Sequence, residues 1–130
     1  MSSPKLEVVS YRIQRANEAI DDAQADLDQG RFNSASNRVY YAMFYAALAL
    51  LATRDLSSSR HSGVIALFHE NFVKVGAFPR ELAHYLGRAL EMRSNTDYRI
   101  MPPPEPAQLR EMLDNARSFV KKVAEMVQSV

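Results

Sequence analysis

Apolar positions recur along this chain with the period of a helix. From Lys5 to about Asp28, the residues Val9, Ile13, Ala16, Ile20, Ala23 and Leu27 follow one another at steps of four and three, which draws one line along an amphipathic helix. Gly30 suits the left-handed turn that closes such a helix, and Asn33 or Ser34 offers a side-chain cap for the next one. The stretch from Arg38 to Ala52 differs in kind. After Arg38 it has no charge, Gly or Pro, it is rich in Ala and Leu, and it is apolar all the way round. A helix of that sort must be covered on more than one side, which puts it at the centre of a bundle, or of a bundle plus a partner. Its uncharged run, Val39 to Ala52, is 14 residues long, short of the roughly 20 that cross a bilayer.

Beyond Asp55, Ser57, Ser58 and Ser59 are candidate N-caps for a third helix with Val64, Ile65, Phe68 and Phe72 on its apolar face, ending near Gly76. Pro79 suits the first turn of a fourth, in which Leu82, Leu86, Ala89 and Arg93 share one line. The proline-rich run Met101 to Pro106 is read as an extended connector. From Pro106 a fifth helix presents Leu109, Leu113, Ala116, Val120, Val123 and Val127. No strand pattern competes with these. The expected fold is all-α: an antiparallel four-helix bundle with a fifth helix beside or across it, in one domain spanning residues 1–130.

Composition narrows the function classes. Lys and Arg exceed Asp and Glu by one, so the net charge of +1 gives no broad attraction for nucleic acid or anionic lipid, and any RNA contact must be local. The absence of Cys removes disulfides, thiolate metal sites and Cys nucleophiles, and suits a reducing cytosol. The polar start, Met1 to Ser10, does not supply the apolar segment of a signal peptide, so a cytoplasmic location is expected and no membrane partner. Glu18, Asp21, Asp22, Asp26 and Asp28 lie off the apolar line of the first helix and read as a solvated face.

Arg93 carries the most information, because the period calls for an apolar side chain at its position. Asp97, one turn on, can pair with it, and Tyr98 follows at the end of the helix. On the central helix Arg38, Tyr41 and Tyr45 fall at i, i+3 and i+7, which sets a cation and two phenols on one face. If the two sets meet, the bundle holds a polar seam, which a purely structural network would also explain.

The segments Ser34 to Phe44, Arg60 to Val64 and Arg93 to Arg99, in that order on a chain of this length, resemble the HEPN domain family (higher eukaryotes and prokaryotes nucleotide-binding). The resemblance spans nearly the whole chain. It implies a bundle of four or five helices, commonly a homodimer, often working beside a small nucleotidyltransferase as a toxin and antitoxin pair. Catalytic members resembled here are metal-independent ribonucleases with an Arg, four to six residues, then a His. This chain departs from that motif: Tyr98 stands five positions after Arg93, and no His follows His84. Tyr, with a reference pKa near 10, exchanges protons poorly at neutral pH. The resemblance also implies a nucleotide-accepting Tyr two places beyond the motif His, where this sequence has Ile100.

Arg54 and His61 have a permitted spacing but straddle a Ser-rich loop, and read as a chance match. His61 opens the third helix, where it can bond locally or reach the seam. His69 and His84 read as surface residues, with neither metal-ligand spacing nor a cofactor motif around them. The expectation is therefore a dimeric, partner-binding HEPN-type module with Arg38, Tyr41, Tyr45, His61, Arg93, Asp97 and Tyr98 at its polar centre, no metal and no cofactor. Its expected partners are a second copy, a nucleotidyltransferase, and RNA or a nucleotide. The alternatives are an endoribonuclease using Arg93 with Tyr98 or His61, and a helical scaffold.

Overall fold

The computed structural model describes residues 3–97, without the side chains of 95–97, and residues 104–128. Five α-helices and no strand occur among them: α1 (Pro4–Asp28), α2 (Phe32–Thr53), α3 (His61–Phe68), α4 (Arg80–Asp97) and α5 (Pro106–Gln128). Helix α2 packs against all four others, most extensively against α1, while α5 also touches α1 and α4. The all-α bundle expected from the periodicity is the fold observed, and its central helix is the one whose apolar surface runs all round.

Each helix follows from local chemistry. Ser3 caps α1, its Oγ accepting from Leu6 N at 3.1 Å, with Pro4 in the first turn where no partner for its missing N–H is needed. Val9, Ala16, Ala19, Ile20, Ala23 and Leu27 are buried along it. Gly30 ends it at φ 76°, with Arg31 N donating to Asp26 O. Neither Asn33 nor Ser34 caps α2, contrary to the sequence expectation. The left-handed Gly30 has already turned the chain, so α2 begins at Phe32 with Arg31 as an N-cap that makes no side-chain bond. Ser34 instead lies in the first turn and donates to Asp26 Oδ2 at 2.6 Å, tying α2 to the end of α1.

Thirteen of the 22 residues of α2 are buried, so it is the core of the bundle and not one of its walls. It ends in a Schellman turn: Leu56 N donates to Leu51 O and Asp55 N to Ala52 O, with Asp55 at φ 58° in the place Gly usually takes. The serines beyond do not cap α3 either. Its N-cap is Arg60, without a side-chain bond, and Ser58 Oγ accepts from Arg60 N at 3.3 Å. Ser58 also lies against Gly63, where any Cβ would collide with its side chain. The loop is folded onto the helix it was expected to cap.

The expected third helix is two pieces. After Phe68 the chain widens into a π-helical segment, His69–Val73, in which Lys74 N reaches His69 O at 2.8 Å, and Gly76 at φ 82° then ends the run. Phe68, Phe78 and Phe119 meet in the core with ring centroids 4.8–5.7 Å apart, joining α3, the α3–α4 turn and α5. Leu86 and Ala89 of α4 and Leu109, Leu113, Ala116, Val120 and Val123 of α5 are buried as their spacing predicted. No helix among the described residues is long and apolar enough to cross a membrane.

Candidate functional site

The half-buried face of α2 carries Arg38, Tyr41 and Tyr45 as their spacing predicted. It does not act alone. The Arg93 guanidinium, near the end of α4, lies 5.3 Å from the ring centroids of both Tyr40 and Tyr41, and that of Arg38 lies 5.0 Å from Tyr41. A cation over an aromatic face gains about 0.5–1 kcal/mol where exposed and up to about 2 where desolvated. The two sets of residues thus meet, with the π faces of Tyr40 and Tyr41 between the cations. Arg38 is further held by Asn37, whose Oδ1 accepts from Nη2 at 2.6 Å and Nε at 3.1 Å.

His61 completes the cluster. As the first residue of α3 it stacks on Phe44 at 4.3 Å between centroids, meets Tyr41 edge-on at 5.8 Å, and shares a hydrogen bond of 3.2 Å between Nδ1 and Tyr40 Oη. Burial, and then the charge of Arg93, hold its imidazole below the ordinary histidine range. Tyr40 is fully buried. Burial pushes its phenol up to about 12, with Tyr41 adding to the rise and Arg93 opposing it. A protonated phenol therefore faces an imidazole held towards its neutral form. Two tautomers satisfy that pair. With Tyr40 donating to Nδ1, the outer Nε2 carries a proton and is a donor; with Nδ1–H donating to Tyr40, Nε2 is a base.

The aromatic strip continues along α1. Tyr41 and Tyr45 lie 5.6 Å apart, and Arg15 sits 5.1 Å from the Tyr45 ring while donating to Tyr45 Oη at 3.2 Å and to Tyr11 Oη at 3.5 Å. The bonds to Tyr11 and Tyr45 raise the already high pKa of Arg15 further. Tyr11 is exposed, as are Leu6 and Val8 of the same helix. The result is a half-open surface of alternating cations and rings, running from Tyr11 to His61.

Of the residues singled out in the sequence, Arg38, Tyr41, Tyr45, His61 and Arg93 converge here. Tyr98 and the side chain of Asp97 lie outside the described residues. Arg54 does not join His61: its Nη1 donates to Asn71 O at 2.8 Å and its guanidinium covers Phe72 at 4.2 Å. Tyr40, Phe44, Tyr11 and Arg15 were missed. Phe44 lies four residues after Tyr40 and three after Tyr41, a spacing that could have extended the face, and Tyr11 and Arg15 repeat an i, i+4 aromatic–cation pair on α1.

The family model described as the HEPN domain matches residues 9–127. The chain belongs to the HEPN family. Similar HEPN-length proteins include a "UPF0332 protein" of Thermotoga maritima, 36% identical over 126 residues, which covers 97% of this chain and 96% of that one. A Methanocaldococcus jannaschii protein named "Putative toxin MJ0605" is 27% identical over 124 residues, 95% of this chain and 92% of its own. A second from that organism, "Putative toxin MJ0142", is 31% identical over 86 residues, 66% of this chain and 58% of its own. In this HEPN chain the imidazole beside Arg93 comes from the start of α3, not from the segment after Arg93.

Proposed function

We propose that this HEPN protein is the toxin-like half of a two-protein pair in the cytosol, acting as a dimeric module that binds a small nucleotidyltransferase. The observation that carries this reading is the convergence of Arg93, Arg38 and His61 on the rings of Tyr40, Tyr41 and Phe44 at a half-open surface. Cations fixed over rings recognise phosphate and planar groups, the chemistry that a nucleotide-handling partner or an RNA presents. The toxin names of two relatives support the pairing. For the dimer, the support is the incompletely covered strip of Tyr11 on α1 with Tyr41 and Tyr45 on α2, joined through Arg15, which a second copy laid across it would bury. A monomeric mass at micromolar concentration would contradict the dimer.

The test is a pull-down of the tagged protein at native expression, with co-purifying proteins identified by mass spectrometry. A nucleotidyltransferase in near-equal amount, lost from Arg93→Ala while the variant stays folded, is the expected result. Recovery of the protein with itself alone would end the pair reading.

A second reading is favoured by one observation, the closeness of Arg93 to an imidazole held towards its neutral form. In an endoribonuclease of this design, His61 Nε2 takes the proton of an RNA 2′-hydroxyl as that oxygen attacks the adjacent phosphorus. The 5′-oxygen leaves with a proton donated by Tyr98 or water, giving a 2′,3′-cyclic phosphate, and Arg93 stabilises the charge on the phosphorus oxygens. This reading requires the tautomer in which Nδ1–H donates to Tyr40. Tyr98 would share the proton transfer. RNA cleavage by the wild type, abolished in both Arg93→Ala and His61→Gln, is its signature.

A further inference from the structure

A second donor-rich surface lies at the other end of α3. The groove between the π-helical segment and the start of α4 is lined by Ala66, His69, Glu70, Val73, Lys74, Arg80 and His84. It shares no residue with the cluster around Arg93 and His61. Its shape has a local cause. The wider π-helical turn, closed by the bond from Lys74 N to His69 O, carries His69, Glu70 and Lys74 along one wall, while Arg80 and His84, one turn apart on α4, form the other.

Its chemistry is one-sided. The side chains of His69, Lys74, Arg80 and His84 offer N–H groups, and among the described residues none of them is in a salt bridge or a side-chain hydrogen bond. Glu70 is the one acid in the lining, so with both imidazoles neutral the groove still carries one positive charge in excess. Of the residues lining it, Ala66 and the buried Val73 are apolar. Four side chains with N–H groups around one groove match an anion, which accepts from many directions at once.

We infer that this groove is a second binding site, for the phosphate groups of a ligand that is either a small phosphorylated molecule or a nucleic acid backbone. Arg80 and Lys74 supply the charge, His69 and His84 supply further N–H donors, and Glu70 limits affinity by repelling the phosphate oxygens.

The test is a titration of the isotope-labelled full chain with three probes at low salt: inorganic pyrophosphate, a uridine hexanucleotide and an acidic hexapeptide. Amide shifts at His69, Lys74, Arg80 and His84 with pyrophosphate, weakened about tenfold in Lys74→Gln/Arg80→Gln, support the site. Glu70→Gln is expected to tighten binding. Shifts with pyrophosphate alone assign a small ligand. Tighter shifts with the hexanucleotide assign a backbone, and the slope of log affinity against log salt should then fall by about 1.4 in the double variant, about 0.7 for each cation removed. Glu70, Lys74 and Arg80 are exposed, so the variants are expected to fold, and Arg93→Ala should leave these shifts unchanged whatever the fate of the pair reading. Pyrophosphate and hexanucleotide binding that is absent, or that maps elsewhere, overturns the inference, as does a response to the acidic peptide alone.

Discussion

Replacing Tyr40 by Phe removes one oxygen from the centre of the site and leaves the packing in place. The Phe ring keeps the stack on Phe44, whose centroid lies 5.6 Å away, and keeps its place 5.3 Å from Arg93. What is lost is the 3.2 Å bond to His61 Nδ1. His61 is exposed, so water replaces that partner, and the net cost at pH 7 is about 1 kcal/mol. The deficit should also depend on pH. Tyr40 titrates at about 12 in the folded protein and at about 10 when unfolded. Because its folded value is raised, the associated stability is complete below pH 10 and is lost as pH rises towards 12. The wild type gives up about 0.8 kcal/mol by pH 10.5 and about 1.4 kcal/mol by pH 11, and the variant has no such group to titrate. Urea unfolding followed by circular dichroism at pH 7, 10, 10.5 and 11 should therefore show the deficit shrinking, vanishing between pH 10.5 and 11, and reversed by about 0.4 kcal/mol at pH 11. A deficit that stays constant over that range would refute the reasoning. So would a loss of several kcal/mol at pH 7, which is the cost of a cavity and not of a hydroxyl.

Arg93→Ala removes the second of the two causes that depress His61, so the imidazole should titrate higher than in the wild type and still below its ordinary value, since burial remains. The measurement is a nuclear magnetic resonance titration of the ring. The matching stability is present above about pH 6.5 and falls away as pH drops through the folded value, more steeply in the wild type than in the variant. Phe119→Ala empties the junction of three rings and should cost about 3–5 kcal/mol, lowering Tm by about 10 °C or more in a thermal melt. Gly63→Ala drives a methyl group into Ser58 and should cost about 1–3 kcal/mol by urea unfolding, a loss that Ser58→Gly relieves if the collision is its cause.

Most of the fold was legible because helical periodicity is a local property: most residues on the apolar lines of α1, α4 and α5 are buried, with Ile13, Leu82 and Val127 half-buried. Phe119 escaped because a strict four-and-three line describes a narrower stripe than a helix buries when it touches three neighbours, as α5 does. The capping assignments failed for another reason. Ser34, Ser58 and their neighbours have cap chemistry, but the turns at Gly30 and Asp55 decide where the next helix begins. The π-helical segment has no sequence signature of its own; around it Phe68 meets Phe72 and Phe78. In the site, Arg38, Tyr41 and Tyr45 share a helix face and so could be grouped by spacing. The part played by Tyr40 depends on the start of α3 returning to α2, a contact between residues 21 positions apart that no local pattern encodes.

The central position of α2 also constrains how this surface can diverge. Tyr41 lies between the buried Tyr40 and Ala42, and Arg38 precedes the buried Val39, so each surface residue that α2 gives the cluster has a core residue beside it in the chain. Rotating the helix by one residue to present a different face would take thirteen side chains out of register with four neighbouring helices. A changed surface is therefore reached by exchanging side chains at Asn37, Arg38, Tyr41, Tyr45 and Leu48, with the backbone beneath them fixed. Under the proposed partner-binding role, relatives with different partners should differ at those five places and keep the Ala-rich positions between them.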